Sequence, residues 1–437
     1  MSLLDQVRAR ARELGFAAAC AVPAGPALSM GAYQSWLAGG MAGAMEYLAR
    51  HAPLKADTRV FFPQGRTMLV LTHPYGGPEA EPPEAGPSKP EPPETRQQML
   101  HGVISRYAWG RDYHDVLGEK LSELAGYIAR ISGRNLESRA FVDSSPVLER
   151  EWAVRAGLGW LGRNACLIAY GGGSWLFICG LLLDMDPALL EAPPPGTHLP
   201  PTGRHCGSCR ACREACPTGA IVADGVVDSR RCLSYLTIEL RGPVPEDLRA
   251  GLGNRVFGCD ICQEVCPWNR KPRPGTNPAA GREFQAENSR RVRPRLSELL
   301  ALDEEEFRRL YRDTPLWRPR RRGLLRNAAL ALGNQVSRAA GQQDGNEAGG
   351  SGAGDSGAGD SGPDREELLA EARTALSAAL GDHEPLVRGA AAWALGRLPR
   401  GEGRVQLAQA LKKEQDEEVC REITAALKGA ACDKTGQ

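Results

Sequence analysis

Two runs of cysteine near the middle of the chain constrain its fold more strongly than any other feature. The first run has the spacing C-x2-C-x2-C-x3-C and is closed by a proline: Cys206, Cys209, Cys212, Cys216 and Pro217. The second run has one cysteine fewer and also ends in a proline: Cys259, Cys262, Cys266 and Pro267. This pattern is typical of bacterial proteins with two [4Fe–4S] clusters, in which the fourth cysteine of a run binds the other cluster. The sequence therefore predicts a ferredoxin-like iron–sulfur segment.

Two such clusters need eight thiolates, and the two runs supply seven. Cys232 is the only other cysteine between the runs, so we assign it as the eighth ligand. Cluster one is then predicted to bind Cys206, Cys209, Cys212 and Cys266. Cluster two is predicted to bind Cys216, Cys232, Cys259 and Cys262. The alternative is a zinc ribbon, which uses two C-x2-C pairs and fits seven ordered cysteines poorly.

The chain has thirteen cysteines in total, and the others have no neighbours at ligand spacing: Cys20, Cys166, Cys179, Cys420 and Cys432. Because free cysteine is often buried as a small apolar residue, we interpret these five as packing residues. The segment Met1–Gln6 lacks a basic stretch followed by an apolar one, so we expect no signal peptide. No apolar run reaches the roughly 18 residues of a membrane helix. We therefore expect a cytoplasmic protein without a membrane partner.

The length of 437 residues indicates several domains. Hydrophobic periodicity in the N-terminal part predicts helices over 3–14, 113–131 and 147–156, and strands over 67–72, 138–143 and 175–183. This alternation predicts an α/β domain over residues 1–190, followed by the iron–sulfur domain over 191–280. The segments 76–95 and 341–363 are rich in Gly, Pro and Ser or acidic residues, which predicts surface loops without a core.

The C-terminal part, residues 281–437, is predicted to be helical and repetitive. The pattern at Ala328–Gly333 recurs at Ala391–Gly396. When the 341–363 segment is discounted, the spacing of the two copies is close to the period of HEAT-type helix pairs. We therefore predict a small all-α, HEAT-like domain.

Arginines cluster beside the first of these repeats, close to Trp317. The cluster contains Arg318, Arg320, Arg321, Arg322 and Arg326, with Arg290, Arg291, Arg293 and Arg295 upstream and Arg388 in the second repeat. Such density next to an aromatic residue suits a nucleic-acid backbone with a stacked base. The alternative is a solvated helix face that pairs with the acidic residues 303–306.

Several motifs together resemble the epoxyqueuosine reductase family. They are the first cysteine run and the segments Trp109–His114, Phe141–Pro146, Arg155–Asn164, Arg231–Glu239, Gly253–Asp260 and Leu325–Ala328. The resemblance implies an N-terminal cobalamin-binding domain, two clusters placed against the corrin, and a HEAT-like domain that completes a tRNA site. It also implies the reaction, which is two-electron reduction of the epoxide of epoxyqueuosine at the tRNA wobble position to give queuosine. Electrons would come from a donor protein or a small reductant, and we expect a monomer.

The resemblance makes Asp143 the proton donor to the departing epoxide oxygen. Asp143 ends a predicted strand, where α/β sheets place their ligands. The alternative role is to cap the next helix, but Ser145 already fits the N-cap with Pro146 at the first helical position. A carboxylic acid can donate a proton near neutral pH only if its pKa is raised, and an apolar corrin face is expected to raise it.

The resemblance also assigns cofactor contacts, at Lys55, Ser105, Asp143, Leu167, Ile178, Gly258, Cys259 and Asp260. Some family members have cysteine and arginine in place of Ser105 and Lys55. The segment around His114 nearly matches a cobalamin-ligand motif, but its glycine lies one residue late. We therefore expect His114 to be structural or to face the tRNA, and not to bind cobalt.

Two other classes of protein are compatible with parts of this pattern. A cobalamin-dependent reductive dehalogenase would share the cofactors but would have no use for an arginine-rich helical domain. An electron-transfer protein would share the clusters but would have no use for Asp143 or for a corrin pocket.

Overall fold

The computed structural model describes residues 1–76, 100–170, 172–194, 196, 198–270, 281–339 and 363–432. The predicted loops at 76–95 and 341–363 lie outside these residues except at their ends, and so does the side chain of Cys432. Across these described ranges, the structure contains no helix that is both long enough and apolar enough to span a membrane.

The strands are β1 (Ala18–Pro23), β2 (Thr67–Pro74), β3 (Val103–Ile104), β4 (Ser138–Val142), β5 (Gly159–Leu161), β6 (Leu167–Ala169), β7 (Leu176–Leu183), β8 (Ile221–Ala223), β9 (Val226–Val227) and β10 (Arg255–Phe257). The α-helices of the first two thirds are α1 (Leu3–Glu13), α2 (Met30–Ala38), α3 (Glu46–Arg50), α4 (Ala52–Ala56), α5 (Thr58–Phe61), α6 (Tyr113–Ser132), α7 (Glu149–Arg155), α8 (Ala211–Glu214), α9 (Leu233–Ile238), α10 (Glu246–Arg249) and α11 (Ile261–Glu264). The C-terminal helices are α12 (Leu296–Leu300), α13 (Glu304–Tyr311), α14 (Arg320–Ala339), α15 (Pro363–Ala379), α16 (Pro385–Leu395), α17 (Arg404–Leu411) and α18 (Glu417–Cys432).

The N-terminal core is a four-stranded sheet in the order β1-β2-β7-β4. Alternate residues of β2 point to opposite faces, as the two-residue period of a strand requires. Leu69 and Leu71 pack with α1 and α6, whereas Met68 and Val70 pack with Trp152 of α7. Helices therefore cover both faces of the sheet, which explains why every residue of β2 is buried.

All three strand pairings in this sheet are antiparallel. The predicted α/β domain is thus a sheet covered by helices on both faces. Within its described residues the sheet is antiparallel, and not the parallel type that places ligands at strand ends. That part of the argument for Asp143 is wrong, although Asp143 does follow the last residue of β4.

The predicted helices and strands of this region match the observed ones within two residues at each end. The start of α7 differs, since the helix begins at Glu149 with Leu148 as its N-cap. The Val147 amide closes a turn onto the Ser145 carbonyl at 2.8 Å, and the Val147 carbonyl accepts a hydrogen bond from Lys55 at 3.2 Å. The predicted N-cap role of Ser145 is therefore wrong.

The cysteine-rich segment folds as short helices and turns between the other two regions. Its helices α8 and α11 pack against each other, and β8 and β9 form a hairpin. The strand β10 pairs in parallel with β3, which comes from the N-terminal third. As a result, Ile104 and Trp109 belong to the same core as Phe257 and the C-terminal helices.

Segments also cross in the other direction. Phe284, which follows the cysteine runs, packs into the N-terminal core with its ring 5.3 Å from His73 and 5.0 Å from Phe177. The domain boundaries near residues 190 and 280 remain a prediction, because neighbouring units share parts of their cores.

The C-terminal region is helical. Helix α14 packs against α16, and α16 packs against α18. A Cβ atom at Gly333 would lie 2.8 Å from the Cβ of Ala394, and one at Gly396 would lie 2.8 Å from the Cβ of Ala426. The two glycines of the predicted repeat therefore mark the points where successive helices approach most closely.

Candidate active site beside the cysteine-rich loops

Asp143 lies on the turn that leaves β4 and has an unusual backbone. Its φ is +45°, in the left-handed region that non-glycine residues rarely occupy. Its carboxylate is 66% exposed, and Oδ2 accepts a 2.7 Å hydrogen bond from the Tyr113 hydroxyl. Strained residues of this kind concentrate at functional sites, where the surrounding contacts hold them.

His114 lies between two carboxylates. Its Nδ1 is 2.8 Å from Oδ1 of Asp112, and its Nε2 is 3.7 Å from Oδ2 of Asp143. Burial alone lowers the pKa of His114, but the two carboxylates outweigh burial and raise that pKa to about 9. His114 is therefore a cation at neutral pH.

The direction of the Asp143 shift differs from the one we expected. Desolvation by the surrounding protein raises the pKa of Asp143 even though its carboxylate reaches solvent. The nearby His114 cation, the hydrogen bond from Tyr113 and the charge of Lys55 outweigh that effect, so the net pKa lies below the usual value. The protein groups around Asp143 therefore keep it ionised near neutrality. The proton available at this site is held by His114.

Two more ionisable groups stand behind Asp143. Lys55 is only 8% exposed, and burial lowers its pKa against the opposing effect of Glu149 and Asp143. Burial and repulsion by Asp143 raise the pKa of Glu149 to about 8. Within the described residues, Oε1 of Glu149 has no hydrogen-bond partner.

Sequence analysis missed the contributions of Asp112, Tyr113 and Glu149. Glu149 occupies the first turn of α7, where an acidic residue is ordinary for any helix. The sequence therefore contained no signal that distinguished Glu149 from any acidic residue in the first turn of a helix.

Two tyrosines link Asp143 to the second cysteine run. Tyr107 is partly buried, and its ring centre lies 5.9 Å from that of Tyr113 and 6.0 Å from that of Phe257. Desolvation by the surrounding protein and the charges of Asp143 and Asp260 raise the pKa of Tyr107. Asp260 accepts hydrogen bonds from the Ser105 hydroxyl at 2.5 Å and from the Arg106 amide at 2.7 Å. Tyr113 and Tyr107 thus lie between Asp143 and the loop that carries Cys259.

The predicted cofactor contacts fall into three places. Ser105, Gly258, Cys259 and Asp260 lie together, since a Cβ atom at Gly258 would be 2.5 Å from the Cβ of Ser105. Lys55 lies with Asp143. Leu167, which is 3% exposed, and the partly buried Ile178 belong to the apolar layer between the sheet and α7.

The cysteines form two neighbouring groups. The pKa of Cys212 is raised to about 11 by burial and by the thiols of Cys266, Cys206 and Cys209. In the other group, Cys262 lies near Cys259 and Cys232, and Cys232 lies near Cys216. The assignment of four cysteines to each of two cubanes remains a prediction, and these proximities are compatible with it.

Cys166 requires a correction. Its thiol interacts directly with that of Cys262, so it is not merely a packing residue. Cys179, in contrast, is buried in β7 and packs in the N-terminal core.

The arginine cluster divides into two kinds of residue. Arg321 is buried and pairs with Asp382 at 2.5 Å, and Arg326 is 1% exposed and donates hydrogen bonds to the carbonyls of Leu236, Leu240 and Gly242. Their predicted contact with nucleic acid is therefore wrong, because both guanidinium groups are used inside the fold. The exposed members are Arg318, Arg320 and Arg322.

Other predicted arginines also have internal partners. Arg388 pairs with Glu414 at 2.7 Å, and Arg295 pairs with Glu371 at 2.5 Å. The acidic residues 303–306 serve their own helix, since Asp303 caps it by accepting a hydrogen bond from the Glu306 amide.

Two of the exposed arginines lie against aromatic rings. Arg318 pairs with Glu239 at 2.9 Å, and its guanidinium carbon lies 5.7 Å from the centre of the Tyr47 ring. The guanidinium carbon of Arg320 lies 4.5 Å from the centre of the Trp317 ring. Burial raises the pKa of Tyr47, on which the charges of Glu239, Arg318 and Asp143 also act.

Comparison with known proteins agrees with these features. A family model for a 4Fe-4S double cluster binding domain matches residues 205–269. A second model, described as epoxyqueuosine reductase QueG, DUF1730, matches residues 55–144. The epoxyqueuosine reductase of Alicycliphilus denitrificans is 36% identical over 395 residues, which cover 90% of this chain and 98% of that protein. This chain belongs to the epoxyqueuosine reductase family.

Another member of the family, from Escherichia coli, is 38% identical over 301 residues, covering 69% of this chain and 73% of that protein. As a family member, the chain is an oxidoreductase with a 4Fe-4S double cluster domain. A crystal structure of epoxyqueuosine reductase with an epoxyqueuosine-modified tRNA-Tyr stem loop is similar at 25% identity and a TM-score of 0.76, covering 98% of this chain and 99% of that one. The Bacillus subtilis enzyme, with its catalytic aspartate loop swung out of the active site, has a TM-score of 0.74 at 25% identity, with 98% of both chains covered.

Proposed function

We propose that this chain reduces epoxyqueuosine in tRNA to queuosine, with two [4Fe–4S] clusters and cobalamin as cofactors. The observation that carries the proposal is the connection between Asp143 and the Cys259 loop, in which Tyr113 donates to Asp143 and Tyr107 lies between Tyr113 and Gly258. This connection joins a site that holds a proton to a site that delivers electrons, and reductive removal of an oxygen needs both.

The two sets of cysteines would hold clusters that supply electrons one at a time. The residues proposed to hold cobalamin are the polar groups around Gly258 and Lys55, with Leu167 and Ile178 contributing from the apolar layer between the sheet and α7. When bound, cobalamin would supply low-valent cobalt as the nucleophile that opens the epoxide. The Ser105 hydroxyl donates a hydrogen bond to Asp260, so we assign Ser105 to positioning the cluster-two loop.

The protein supplies the first proton. Removal of the epoxide oxygen breaks two C–O bonds, consumes two electrons and two protons, and releases water. The first cleavage leaves an alkoxide, which is unfavourable unless the oxygen is protonated as the C–O bond breaks, and the second proton comes from solvent. Asp143 transfers the first proton to the oxygen, and His114 provides it, because His114 stays charged to about pH 9. Tyr113 orients the carboxylate through its 2.7 Å hydrogen bond. The 3.7 Å separation between His114 and Asp143 closes when substrate binds, as catalytic hydrogen bonds commonly do.

The direct test is turnover. Anaerobic enzyme with cobalamin and a one-electron reductant is expected to convert epoxyqueuosine to queuosine in a tRNA anticodon stem loop, measured by mass spectrometry of the nucleosides. Omission of cobalamin should abolish product. Failure to form queuosine, combined with reduction of small organohalides, would contradict the proposal and favour a reductive dehalogenase.

The helical region is proposed as a HEAT-like domain, over 281–437, that holds the tRNA against the N-terminal cobalamin-binding domain (1–190) and the cluster domain (191–280). The chain is proposed to act as a cytoplasmic monomer that receives electrons from a donor protein or a small reductant. The exposed arginines support the tRNA part of this proposal, because Arg318 lies beside the Tyr47 ring and Arg320 beside the Trp317 ring, a combination that suits phosphates and stacked bases.

Replacement of Arg320 and Arg322 together by Glu is expected to weaken tRNA binding by at least tenfold and to reduce its salt dependence. Each phosphate contact contributes about one unit to the slope of log affinity against log salt, so the slope should fall by up to about two. Fluorescence anisotropy of a labelled stem loop at several salt concentrations measures both quantities.

The matched control is Arg130→Glu with Arg134→Glu. Arg130 lies in the last turn of the 20-residue helix α6 and Arg134 lies just after it, both exposed and about 25 Å along the helix from Tyr113. They should leave affinity nearly unchanged. Equal weakening by the two double variants would show that overall charge, and not this surface, governs binding.

A further inference from the structure

The loop between β5 and β6, residues 162–166, is short and tightly closed. The Gly162 amide donates to the Cys166 carbonyl at 2.9 Å, and the Ala165 amide donates to the Gly162 carbonyl at 3.0 Å. Ala165 has a φ of +63°, a left-handed conformation that is strained for a non-glycine residue. Such a conformation persists only where contacts outside the loop hold it.

Arg163 provides one of these contacts, to the loop of cluster one. Its Nη1 donates to the carbonyl of Cys209 at 2.7 Å, and its Nη2 donates to the carbonyl of Gly207 at 2.9 Å. Its Nε also lies 3.2 Å from Oδ2 of Asp224 in an ion pair. The planar fork of arginine is well suited to bridging two acceptors in this way.

Asn164, the next residue, contacts the loop of cluster two. Its Nδ2 donates to the carbonyl of Cys262 at 3.3 Å, while its Oδ1 accepts from the Cys166 amide at 3.2 Å. The second bond fixes which side of the amide group faces Cys262. Asn164 is 6% exposed, so its side-chain amide is shielded from water where it contacts the Cys262 carbonyl.

The loop is also tied to the acid site. Arg150 of α7 donates from Nη1 to the Ala165 carbonyl at 2.7 Å. Arg150 follows Glu149, which lies beside Asp143. The 162–166 loop therefore touches both cluster loops and the helix that supports the proposed proton donor.

The structure assigns the 162–166 loop as a strap that holds both cluster-binding loops closed, with Arg163 acting on cluster one and Asn164 acting on cluster two. This assignment rests on the part of the proposed function that places two clusters here. Arg163 and Asn164 are positioning residues, because they contact backbone carbonyls of the ligand loops and not the reacting atoms. The physical effect is to limit the opening motion that lets a ligand cysteine leave its iron.

The test measures which cysteines are released. Anaerobically reconstituted Arg163→Met, Asn164→Ala and wild-type protein are exposed to an iron chelator, and freed cysteines are alkylated and identified by mass spectrometry at successive times. Arg163→Met should release the set around Cys212 about tenfold faster, since it loses two charged hydrogen bonds, while the set around Cys262 keeps the wild-type rate. Asn164→Ala should show the opposite selectivity.

Arg210→Met is the matched control. Arg210 lies on the cluster-one loop and is exposed, so its replacement removes the same charge without removing the contacts to Cys209 and Gly207. It should release cysteines at the wild-type rate. Equal acceleration by Arg210→Met would show a charge effect and overturn the assignment.

Two further outcomes also contradict the strap. Release of both cysteine sets at equal rates in Arg163→Met or Asn164→Ala would indicate general destabilisation of the fold. Wild-type rates in both variants would show that the contacts do not hold the loops. If the wild-type protein fails to protect either set, the two-cluster part of the proposed function is wrong, and that result is distinct from the other two.

Discussion

Asp143→Asn is expected to slow single-turnover formation of queuosine by about 10²- to 10⁴-fold, the usual contribution of a general acid. Iron content, cobalamin binding and tRNA affinity should stay close to the wild-type values. Asn has nearly the same shape as Asp and is well tolerated at a φ of +45°. Its side-chain oxygen can still accept the hydrogen bond from Tyr113, so the variant removes the carboxylate that relays the proton from His114 and little else.

The measurement should use enzyme that is reduced before tRNA is added, because this separates the chemical step from electron delivery. Asp115→Asn is the matched control. Asp115 is an exposed carboxylate next to His114 on α6, and its replacement should leave the rate unchanged. A near wild-type rate in Asp143→Asn would remove Asp143 from the role of acid and leave His114 or water as the direct donor.

The pH dependence follows from the charge of His114. His114 is protonated below about pH 9 and neutral above it, so the single-turnover rate should fall as the pH rises through about 9. In His114→Gln this alkaline decrease should be absent, and the rate should be low at all pH values. A decrease near pH 9 that persists in His114→Gln would assign it to another group, such as Lys55 or Glu149.

Cys232→Ala is expected to reduce the iron content of reconstituted protein from about eight to about four per chain, the content of a single cubane. Cys232 precedes α9 as its N-cap residue and lies next to Cys216. Loss of its thiolate leaves cluster two with three ligands, while cluster one keeps all four. Iron and sulfide analysis, with electron paramagnetic resonance of the reduced protein, measures this outcome.

Cys420→Ala provides the control, because Cys420 lies in α18 and donates its thiol to the Glu414 carbonyl. It should retain about eight irons. Full iron in Cys232→Ala would make our ligand assignment wrong. Cys166, whose thiol interacts with that of Cys262, would then be the candidate for the eighth ligand, and Cys166→Ala would lose the cluster instead.

Features that depend on spacing along the chain could be read from the sequence. The proximity of Cys206, Cys209 and Cys212 is one example, since spacers of two residues keep these thiols close together whatever the rest of the fold does. The helices α1 and α6 and the strands β2 and β7 are others, because local hydrophobic periodicity reports which face is buried. The repeated pattern that ends in Gly333 and Gly396 could also be read locally. Both glycines lie at close helix contacts that leave little room for a side chain.

Features that depend on which segments meet in space needed the tertiary structure. Five arginines within nine residues look alike in sequence. In the structure, Arg321 pairs with Asp382 and Arg326 donates hydrogen bonds to buried carbonyls. The other three, Arg318, Arg320 and Arg322, are exposed. The contact between Arg163 and the Cys209 loop spans 46 residues, and no local pattern reports it.

The electrostatic character of Asp143 belongs to this second group. From the sequence we expected the pKa of Asp143 to be raised. In the structure, His114, Tyr113 and Lys55 together lower that pKa. Those residues come from α6 and α4, which sequence reasoning could place near Asp143 only through the family resemblance. The sequence determined that the chain carries an acid, a histidine and two sets of thiols. The fold decided which of them share a proton, because electrostatic interactions depend on distances between segments and not on order along the chain.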